Sequence, residues 1–568
     1  MNARAALLGI RGLSVRFQGE RVVSALDLQI FEGETLALVG ESGCGKSTTA
    51  LSILRLLSPS ARVEGEIWLD GKDLLRLPES DMERIRGRDI SMIFQEPMSS
   101  LNPLYTVGYQ IAETLRQHQA LPAKAAHRRA TELLDLVRIA EPQRRVHDFP
   151  HQLSGGHRQR VMIAMAVACR PRLLIADEPT TALDVTIQAQ ILELLDALRR
   201  EFSMSLLLIS HDLGLVSQWA HRVAVMYAGE KVEEAPTDPL FASPAHAYTQ
   251  GLLAASLHGG RNLHYSQTCL PEIRVSGADA ASRRFVLHTP ALHPKALVDT
   301  AATPLLEVQG LHTQYATSSG PVHAVRDVSF SIYRGQTLGL VGESGCGKST
   351  LSKTLLRLVD ASAGKVLLDG TDLVRMRGQA LQPWRRRIQM VFQDPFGSLN
   401  PRRTVQDILD SVLRVHGFAS AQDRRTRIAT ILDRVGLIAG SAQRYPHEFS
   451  GGQRQRIGIA RALVVEPELV VLDEPVSALD VSVQAQILNL LVELKQALHL
   501  SYLFISHDLS VVRYIADRVM VMHQGQIVES GTHHSIWSAP QHPYTRSLIN
   551  AVPRARATDP AATEIAYG

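Results

Sequence analysis

The ten residues Val39-Gly-Glu-Ser-Gly-Cys-Gly-Lys-Ser-Thr48 recur without change as Val341–Thr350. In both copies an apolar run typical of a buried parallel strand comes first, the glycines permit a tight turn, and a serine opens a helix. This order predicts a phosphate-binding loop, because backbone N–H groups converge on anionic oxygens and the helix N-terminus adds partial positive charge. Two copies therefore predict two nucleotide-binding domains in a chain of 568 residues.

The side chains of the two loops have expected ligands. Lys46 and Lys348 are expected to reach the β- and γ-phosphates, and Ser47 and Ser349 to offer a hydroxyl to Mg²⁺. The predicted ATP-binding residues of the loops are Gly40, Glu41, Ser42, Gly43, Cys44, Gly45, Lys46, Ser47 and Thr48 in the first half and Gly342, Glu343, Ser344, Gly345, Cys346, Gly347, Lys348, Ser349 and Thr350 in the second.

Composition places the chain among globular proteins. Hydrophobic residues make up 45% of it and charged residues 20%, and a formal net charge of +4 is too small to predict nucleic-acid binding. No apolar run approaches the ~18 residues of a membrane span. The N-terminus lacks the apolar region of a signal peptide, and four scattered cysteines predict neither disulfides nor a zinc site.

Both halves repeat the same order of elements. Each begins with strand-like alternation that predicts a small antiparallel β element, and a helix over Ser47–Leu57 is expected after the first loop. A polar stretch over 107–150, and over 405–446 in the second half, lacks strand signals and predicts a helical insert. We predict a first nucleotide-binding domain over 1–254, a linker over 255–303 interrupted by Pro and Gly, a second domain over 304–553 and a tail over 554–568.

Four side chains outside the loops are also candidates for nucleotide contact. Gln95 and Gln393 each end an apolar strand-like run two residues before a Pro, which delivers one amide to a loop tip. We predict that these amides contact nucleotide and Mg²⁺. Phe17 and Tyr315 hold equivalent places in the β elements, where an aromatic ring either stacks on adenine or belongs to the core.

A Ser-Gly-Gly sequence opens a helix in each half. The serine is a good N-cap, and two glycines at the mouth of a helix make a second anion site. By itself the pattern is weak, because loops commonly contain it. The candidate residues are Ser154, Gly155 and Gly156 in the first half and Ser450, Gly451, Gly452 and Gln453 in the second.

Two adjacent carboxylates end a buried apolar strand in each half. Asp177 and Asp473 can hold Mg²⁺ through its water shell, and Glu178 and Glu474 can orient or deprotonate the water that attacks the γ-phosphate. Acidic residues directly after so apolar a run cost stability unless a cation or a water chain uses them. The pattern therefore predicts a hydrolytic centre.

A histidine follows each carboxylate pair at the same distance. His211 lies 34 residues after the first Asp, and His507 lies 34 residues after the second. A lone histidine at a strand end is usually structural, but these two could hydrogen-bond the γ-phosphate as neutral imidazole or as cation. Asp184 and Asp480, which precede the next helix, are included among the ATP-binding candidates.

Together these motifs, in one order and twice over, resemble the ATP-binding subunits of ABC transporters. The stretch Gln95–Pro103 and the closing His-x-Tyr-Thr pattern are similar to the oligopeptide/dipeptide importer branch, as a fusion of its D-type and F-type ATPases. The resemblance implies an α/β fold of two tandem P-loop cassettes, each with an antiparallel β subdomain, a RecA-like core and a helical subdomain. It also implies a head-to-tail dimer of the two cassettes, with two ATP molecules bound between a phosphate loop and the opposite Ser-Gly-Gly signature.

The same resemblance implies partners and a location. We expect two integral-membrane permease subunits, an extracytoplasmic substrate-binding protein, and a peripheral position on the cytoplasmic side of a bacterial inner membrane. Peptides are the expected substrates, and importers of nickel, metal chelates, glutathione or opines are alternatives in this branch. A soluble two-cassette ATPase acting on ribosomes or DNA is the rival class, but the linker lacks the long charged helix or zinc modules usual there.

Two departures from the branch lead to further expectations. His157 stands where Gln, or Met in many D-type subunits, is usual, and it could make the two ATP sites unequal unless its side chain points away from nucleotide. Cys269 is alone in a region where some members carry the cysteines of an iron–sulfur cluster. We therefore predict no cluster.

Overall fold

The computed structural model describes residues 6–96, 100–181, 183–257, 263–276, 283–292, 299, 301–317, 320–477 and 479–552. The described residues up to Leu253 form one compact unit, and those from Ala254 to Val552 form a second. The predicted tail over 554–568, parts of the predicted linker and residues 97–99 of the stretch Gln95–Pro103 lie outside the described residues.

Two sheets form the first unit. A four-stranded antiparallel sheet has the order β2-β1-β4-β5, and a six-stranded sheet has the order β10-β9-β3-β8-β7-β6, in which only β10 is antiparallel to its neighbour. The strands are β1 (Ala6–Phe17), β2 (Glu20–Phe31), β3 (Thr35–Gly40), β4 (Ala61–Leu69), β5 (Lys72–Asp73), β6 (Ile90–Ile93), β7 (Leu173–Asp177), β8 (Ser205–Ile209), β9 (Arg222–Tyr227) and β10 (Glu230–Pro236).

Helices cover the six-stranded sheet and build the predicted helical insert. The insert consists of α3 to α5, and α6 begins at the Ser-Gly-Gly sequence. The helices are α1 (Lys46–Ile53), α2 (Glu79–Ile85), α3 (Val107–Gln119), α4 (Ala123–Leu136), α5 (Pro142–Arg145), α6 (Gly155–Val167), α7 (Val185–Glu201), α8 (Leu213–Trp219), α9 (Thr237–Ala242) and α10 (Ala247–Ala255).

The second unit repeats both sheets and also contains a separate hairpin, β11 (Glu272–Ser276) paired with β12 (Arg284–His288). The sheet orders are β14-β13-β16-β17 and β18-β19-β20-β15-β21-β22. The remaining strands are β13 (Leu306–Thr317), β14 (Gly320–Ile332), β15 (Thr337–Val341), β16 (Ala363–Leu368), β17 (Thr371–Asp372), β18 (Ile388–Val391), β19 (Leu469–Asp473), β20 (Ser501–Ile505), β21 (Arg518–His523) and β22 (Gln526–Thr532).

The helices of the second unit follow the same plan. Short 3₁₀ turns, among them Gly378–Leu381 and Pro446–Glu448, connect several of them. The helices are α11 (Lys348–Leu355), α12 (Gln382–Arg387), α13 (Pro395–Ser398), α14 (Val405–Val415), α15 (Ala421–Arg434), α16 (Gly451–Leu463), α17 (Val481–Ala497), α18 (Leu509–Ile515), α19 (His533–Ser538) and α20 (Pro543–Asn550).

Strand β7 is buried on both faces. Leu173 and Ile175 join the apolar cluster shared with the antiparallel sheet, whereas Leu174 and Ala176 join that of the helical part. Successive side chains of a strand point to opposite faces, so a continuous apolar run suits a parallel strand covered on both sides. The carboxylates that follow this run are therefore held at the edge of a densely packed sheet.

The helix after the first phosphate loop is shorter than predicted. It was expected over Ser47–Leu57 and ends at Ile53, because Arg55 adopts a left-handed φ of 51° and breaks the helical path. The Leu56 N–H then bonds to Leu51 O at 2.9 Å and closes the turn. Among the residues that the structure describes, none of the helices has the length and apolar character needed to cross a membrane.

The described part of the predicted linker belongs to the second unit and contacts its helices and strands. Asn489 accepts a hydrogen bond from the Leu270 N–H (3.1 Å) and donates one to the Leu270 carbonyl (2.8 Å). The Tyr265 hydroxyl donates to Asp517 Oδ1 at 2.7 Å. A linker over 255–303 stays a prediction, and the contacts show that part of that range is structured.

Candidate active sites

Both phosphate loops hold their lysine in the same way. Lys46 Nζ donates to the carbonyls of Gly40 (2.7 Å) and Glu41 (2.9 Å), and Lys348 donates to those of Gly342 (2.8 Å) and Glu343 (2.9 Å). The lysines are 6% and 5% exposed, so each ammonium group is preset inside its loop. Phosphate oxygens are stronger acceptors than carbonyls for such a cation.

The first glycine of the first loop, Gly40, lies so close to β9 that no side chain would fit there. Gly40 has a φ of 149°, and a Cβ there would lie 2.2 Å from Met226 O. The other residues of the predicted set follow as the turn Glu41–Gly45 and the start of α1, as expected. The backbone of the loop is thus fixed by packing before any ligand binds.

Asp177 and Ser47 form the predicted magnesium position. Burial raises the pKa of Asp177, while a hydrogen bond with Ser47 opposes that rise. Asp177 Oδ1 is buried and has no hydrogen-bond partner among the described residues. In the second unit Ser349 Oγ lies 3.5 Å from Asp473 Oδ1.

A buried carboxylate oxygen beside a hydroxyl costs free energy unless a cation uses it, so these pairs fit Mg²⁺. The described residues hold no group of three or more His, Cys, Asp or Glu side chains suited to a metal ion. A cation at either pair would therefore need hydroxyl, amide and phosphate oxygens as further ligands.

Glu178 is the centre of a hydrogen-bonded cluster. Gln95 Nε2 and Thr181 Oγ1 both donate to Glu178 Oε2 at 2.9 Å, and His211 Nδ1 lies 3.2 Å from Oε1. Burial alone would raise the pKa of Glu178, but the interactions with His211, Thr181 and Lys46 together outweigh it and lower the pKa to about 2. The carboxylate is therefore ionised at neutral pH, as a proton acceptor must be.

Glu474 has the same neighbours in the second unit. Gln393 Nε2 donates to Glu474 Oε2 at 2.8 Å, and His507 Nδ1 lies 3.2 Å from that oxygen. Against the effect of burial, His507 lowers the pKa of Glu474, and Glu474 in turn raises the pKa of His507. The structure thus brings the predicted Gln, Glu and His together twice.

Two features of this cluster were not predicted from the sequence. Glu178 and Glu474 adopt left-handed φ values of 47° and 49°, a strained conformation that functional residues often keep. Thr181 contacts the Glu178 carboxylate, whereas the equivalent Ser477 donates to the Glu474 carbonyl at 3.1 Å. The recurrence of a hydroxyl residue three positions after each Glu was the available sequence signal.

The Ser-Gly-Gly sequences cap their helices as predicted. Ser154 accepts from the His157 N–H and Ser450 from the Gln453 N–H, so the N-cap assignment is confirmed. The side chains differ, because His157 Nδ1 lies 2.9 Å from Ser154 Oγ whereas Gln453 Oε1 accepts from the Ser450 N–H at 3.1 Å. Among the described residues, the hydrogen bonds of both serines stay within their own helices.

The remaining candidates lie at the edges of these sites. Asp184 and Asp480 are the N-cap residues of α7 and α17. Phe17 ends β1 and packs against the apolar cluster of the antiparallel sheet, while Tyr315 in β13 is 39% exposed. An adenine contact for either ring stays a prediction.

Comparisons with known proteins agree with this arrangement. The ABC transporter family matches residues 23–181 and 325–477, and the C-terminal region of oligopeptide/dipeptide transporters matches residues 232–268 and 528–566. The chain belongs to the ABC transporter family. Its two units are ABC cassettes, which confirms the predicted fold class and the predicted relation to the peptide-importer branch.

Several relatives align over nearly the whole chain. It is 48% identical over 571 residues to the glutathione import ATP-binding protein GsiA of Salmonella typhimurium, covering 96% of this chain and 89% of that protein. It is 49% identical over 564 residues to GsiA of Pectobacterium atrosepticum, with the same coverage. A solved dimeric bacterial ABC cassette, MJ0796, aligns with 40% of this chain and 98% of that chain at 26% identity and a TM-score of 0.37.

These relationships define the activity in general terms. The chain is an ATP-binding, ATP-hydrolysing subunit of a peptide-type ABC importer, and such subunits act with membrane permeases.

Proposed function

We propose that each cassette hydrolyses ATP with its own strand-end glutamate as the general base. The observation that carries this proposal is the cluster of Gln95, Glu178 and His211, which recurs around Glu474 with nearly equal distances. The glutamine fixes one carboxylate oxygen through its N–H group. Each carboxylate oxygen has two acceptor positions, so the glutamate can still take a proton from an attacking water.

The other site residues bind and orient the nucleotide in this proposal. Lys46 and Lys348 exchange their carbonyl partners for phosphate oxygens, and the loop N–H groups surround the phosphates. His211 and His507 hydrogen-bond the γ-phosphate. Phe17 and Tyr315 stack on adenine, and Asp184 and Asp480 complete the nucleotide site.

The magnesium site would be shared between side chains and phosphate. Ser47, Gln95 and Asp177 would hold Mg²⁺ in the first cassette, and Ser349, Gln393 and Asp473 in the second. When bound, Mg²⁺ would neutralise charge that develops on the phosphate oxygens during transfer.

The proposed assembly is a head-to-tail dimer of the two cassettes within one chain. Ser154, Gly155 and Gly156 would face the second phosphate loop, and Ser450, Gly451, Gly452 and Gln453 the first. Each serine side chain accepts a hydrogen bond from an N–H group of its own helix. In the proposed dimer, the positive N-terminal end of that helix would face the phosphates bound by the opposite loop.

We further propose that the imported substrate is glutathione or another short peptide. Relatives named glutathione import ATP-binding proteins support this choice. The chain would act on the cytoplasmic face of a bacterial inner membrane with two permease subunits and an extracytoplasmic binding protein. No iron–sulfur cluster and no nucleic acid enter the proposed cycle.

Replacing both glutamates tests the hydrolytic assignment. Glu178→Gln with Glu474→Gln keeps the size of each side chain and one acceptor oxygen but removes the base, so we expect ATP turnover to fall by about 100-fold or more. Turnover near that of the unchanged chain would contradict the assignment. Glu193→Gln, at an exposed glutamate of α7, is the matched control and should leave the rate unchanged.

Uptake assays test the substrate. A strain that lacks this chain should regain uptake of radiolabelled glutathione when the gene returns, and the double glutamine variant should not restore it. Restoration of nickel, metal-chelate or opine uptake, without glutathione or peptide uptake, would identify one of the alternative cargoes.

A further inference from the structure

Each half closes with a Pro-x-His-x-Tyr-Thr segment that contains none of the candidate active-site residues. In the second cassette Glu529 accepts hydrogen bonds from the N–H groups of Gln541 (2.8 Å) and His542 (3.0 Å). The His542 side chain caps α20 by accepting from the Tyr544 N–H at 3.2 Å. These contacts fix the start of α20, and with it the position of Tyr544.

Tyr544 reaches the phosphate loop from this fixed position. Its hydroxyl accepts a hydrogen bond from the Glu343 N–H at 3.1 Å. That N–H belongs to the same peptide group as the Gly342 carbonyl, which accepts from Lys348 Nζ at 2.8 Å. One planar peptide is therefore held at both ends, by the phosphate-binding lysine on one side and by Tyr544 on the other.

The surroundings leave this peptide little room to rotate. Gly342 has a φ of 157°, and a Cβ on it would lie 2.3 Å from Met522 O. The ring of Tyr544 lies 4.0 Å from that of His523, and the Gly525 N–H donates to Cys346 O at 2.9 Å. The end of β21 and its turn thus support the loop and the tyrosine together.

We infer that Tyr544 is a positioning residue that holds the phosphate loop in its nucleotide-binding shape. When Lys348 leaves the Gly342 carbonyl for phosphate, the hydrogen bond that the Tyr544 hydroxyl accepts from the Glu343 N–H remains and keeps the Gly342–Glu343 peptide from rotating. The inference rests on the proposed role of Lys348 in binding phosphate. It gives the family-specific C-terminal segment a defined task in the ATP cycle.

The first cassette has the same capping contacts at the start of the helix that carries its tyrosine. Glu233 accepts from the N–H groups of Ala245 (2.7 Å) and His246 (3.1 Å), and His246 caps the next turn by accepting from the Tyr248 N–H at 3.1 Å. Tyr248 is fully buried, and its ring lies 4.7 Å from that of Tyr227. The element that carries the tyrosine is therefore the same in both halves.

Nucleotide affinity of the full chain tests the inference. Both proteins carry Lys46→Ala, which disables the first loop, and one of them also carries Tyr544→Phe. We compare their affinities for AMP-PNP with Mg²⁺ by equilibrium dialysis. Loss of one hydrogen bond is expected to weaken binding roughly two- to tenfold. Hydrogen exchange of the amides over 341–347 should become faster in the same variant.

Tyr502→Phe is the matched control. Tyr502 is buried, whereas Tyr544 is half-buried, and the Tyr502 hydroxyl donates to Leu491 O at 3.0 Å, away from the loop. It should lower the stability of the unit without changing AMP-PNP affinity or loop exchange. Unchanged affinity in Tyr544→Phe, or an equal loss in Tyr502→Phe, would overturn the inference.

Two further results are decisive. If the Lys46→Ala background with Tyr544 intact binds no AMP-PNP, the proposed function of the second loop fails rather than the role of the tyrosine. If Tyr544→Phe does not fold, Glu529→Gln replaces it, because it weakens the hold on α20 without touching the loop. A smaller loss of affinity in Glu529→Gln is then expected, and no change in affinity and exchange would overturn the inference.

Discussion

The corner where α7 meets β9 in the first cassette and the corner where α17 meets β21 in the second differ in the side chain that accepts a hydrogen bond from the phosphate strand. In the first, His221 Nδ1 accepts from the Thr35 N–H at 2.9 Å. Burial and the nearby Arg199 lower the pKa of His221, which keeps the ring neutral and able to accept. A cavity of about 330 Å³ lies beside these side chains.

In the second cassette a carboxylate takes the place of that histidine. Asp517 Oδ2 accepts from the Thr337 N–H at 2.8 Å and from Lys495 Nζ at 3.0 Å. The side chains of Lys495 and Asp517 are only 7% and 8% exposed. Tyr265, from the predicted linker, donates its hydroxyl to Asp517 at 2.7 Å and covers the pair.

The difference shows how one copy of a repeated fold can hold a contact that the other copy lacks, here the hydrogen bond from Tyr265 to Asp517. Both corners need an acceptor for the N–H that begins the phosphate strand, and a ring nitrogen or a carboxylate meets that need equally well. Only the carboxylate attracts a lysine and a tyrosine hydroxyl as well. The ends of the two sheets that carry the candidate active sites have the same Gln, Glu and His residues, whereas this opposite edge differs and holds a docked segment in the second unit.

Removing the charge of Asp517 should have the largest effect on this comparison. Asp517→Asn leaves Lys495 buried without a carboxylate, and we expect the second unit to lose about 3 kcal/mol of unfolding free energy. His221→Asn, the matched change in the first unit, keeps an acceptor for the Thr35 N–H and should cost less than about 1 kcal/mol. Hydrogen exchange in graded urea, read from peptides of β21 and β9, measures each unit separately.

Asn489 provides a second, smaller test of the docked segment. Asn489→Ala removes both hydrogen bonds to Leu270, and we expect a loss of about 1–3 kcal/mol. Faster exchange should appear over 263–276 while the phosphate loops stay unchanged. Glu193 lies at the equivalent place in the first unit, and its side chain is 61% exposed, so Glu193→Ala is the matched control. It should change stability by less than about 0.5 kcal/mol, and an equal loss in both variants would argue against docking through Asn489.

His157 should produce the smallest effect. Burial and the charges of Arg145 and Arg160 hold the pKa of His157 below its ordinary value of 6.5, so the ring is neutral at pH 8 and gains a proton only in more acid solution. Any inequality of the two ATP sites caused by a cation should therefore grow as the pH falls. ATPase rates of Glu178→Gln and Glu474→Gln, each with and without His157→Gln, would reveal it.

Equal rates of the two single variants at pH 6 and pH 8, unaffected by His157→Gln, would end the idea of unequal sites. The hydrogen bond between His157 and Ser154 within α6 already offers a structural reason for the side chain to stay with its own helix.

Local patterns predicted most of the fold and the site. The loop glycines, the serine caps of α6 and α16, and the apolar runs of β7 and β19 have their expected structures. Each depends on residues close in sequence, where spacing and residue type determine the backbone. Because the same motifs recur in the second half, the same predictions applied there.

Contacts between distant residues were beyond such patterns. Tyr265 and Asp517 are 252 residues apart, and Tyr544 and Glu343 are 201 apart. Neither pair belongs to a motif with a fixed spacing, because tertiary packing alone brings the residues together. The left-handed φ of Glu178 and Glu474 could not be predicted either, because an apolar strand-like run that ends in Asp-Glu gives no sign of it.

Counting trapped nucleotide tests most directly whether both cassettes hold complete hydrolytic centres. The full chain with Glu178→Gln and Glu474→Gln is incubated with MgATP, freed of unbound nucleotide on a desalting column and analysed for ATP per chain. We predict two molecules of ATP per chain, still unhydrolysed. One ATP per chain, or ADP in place of ATP, would contradict the claim.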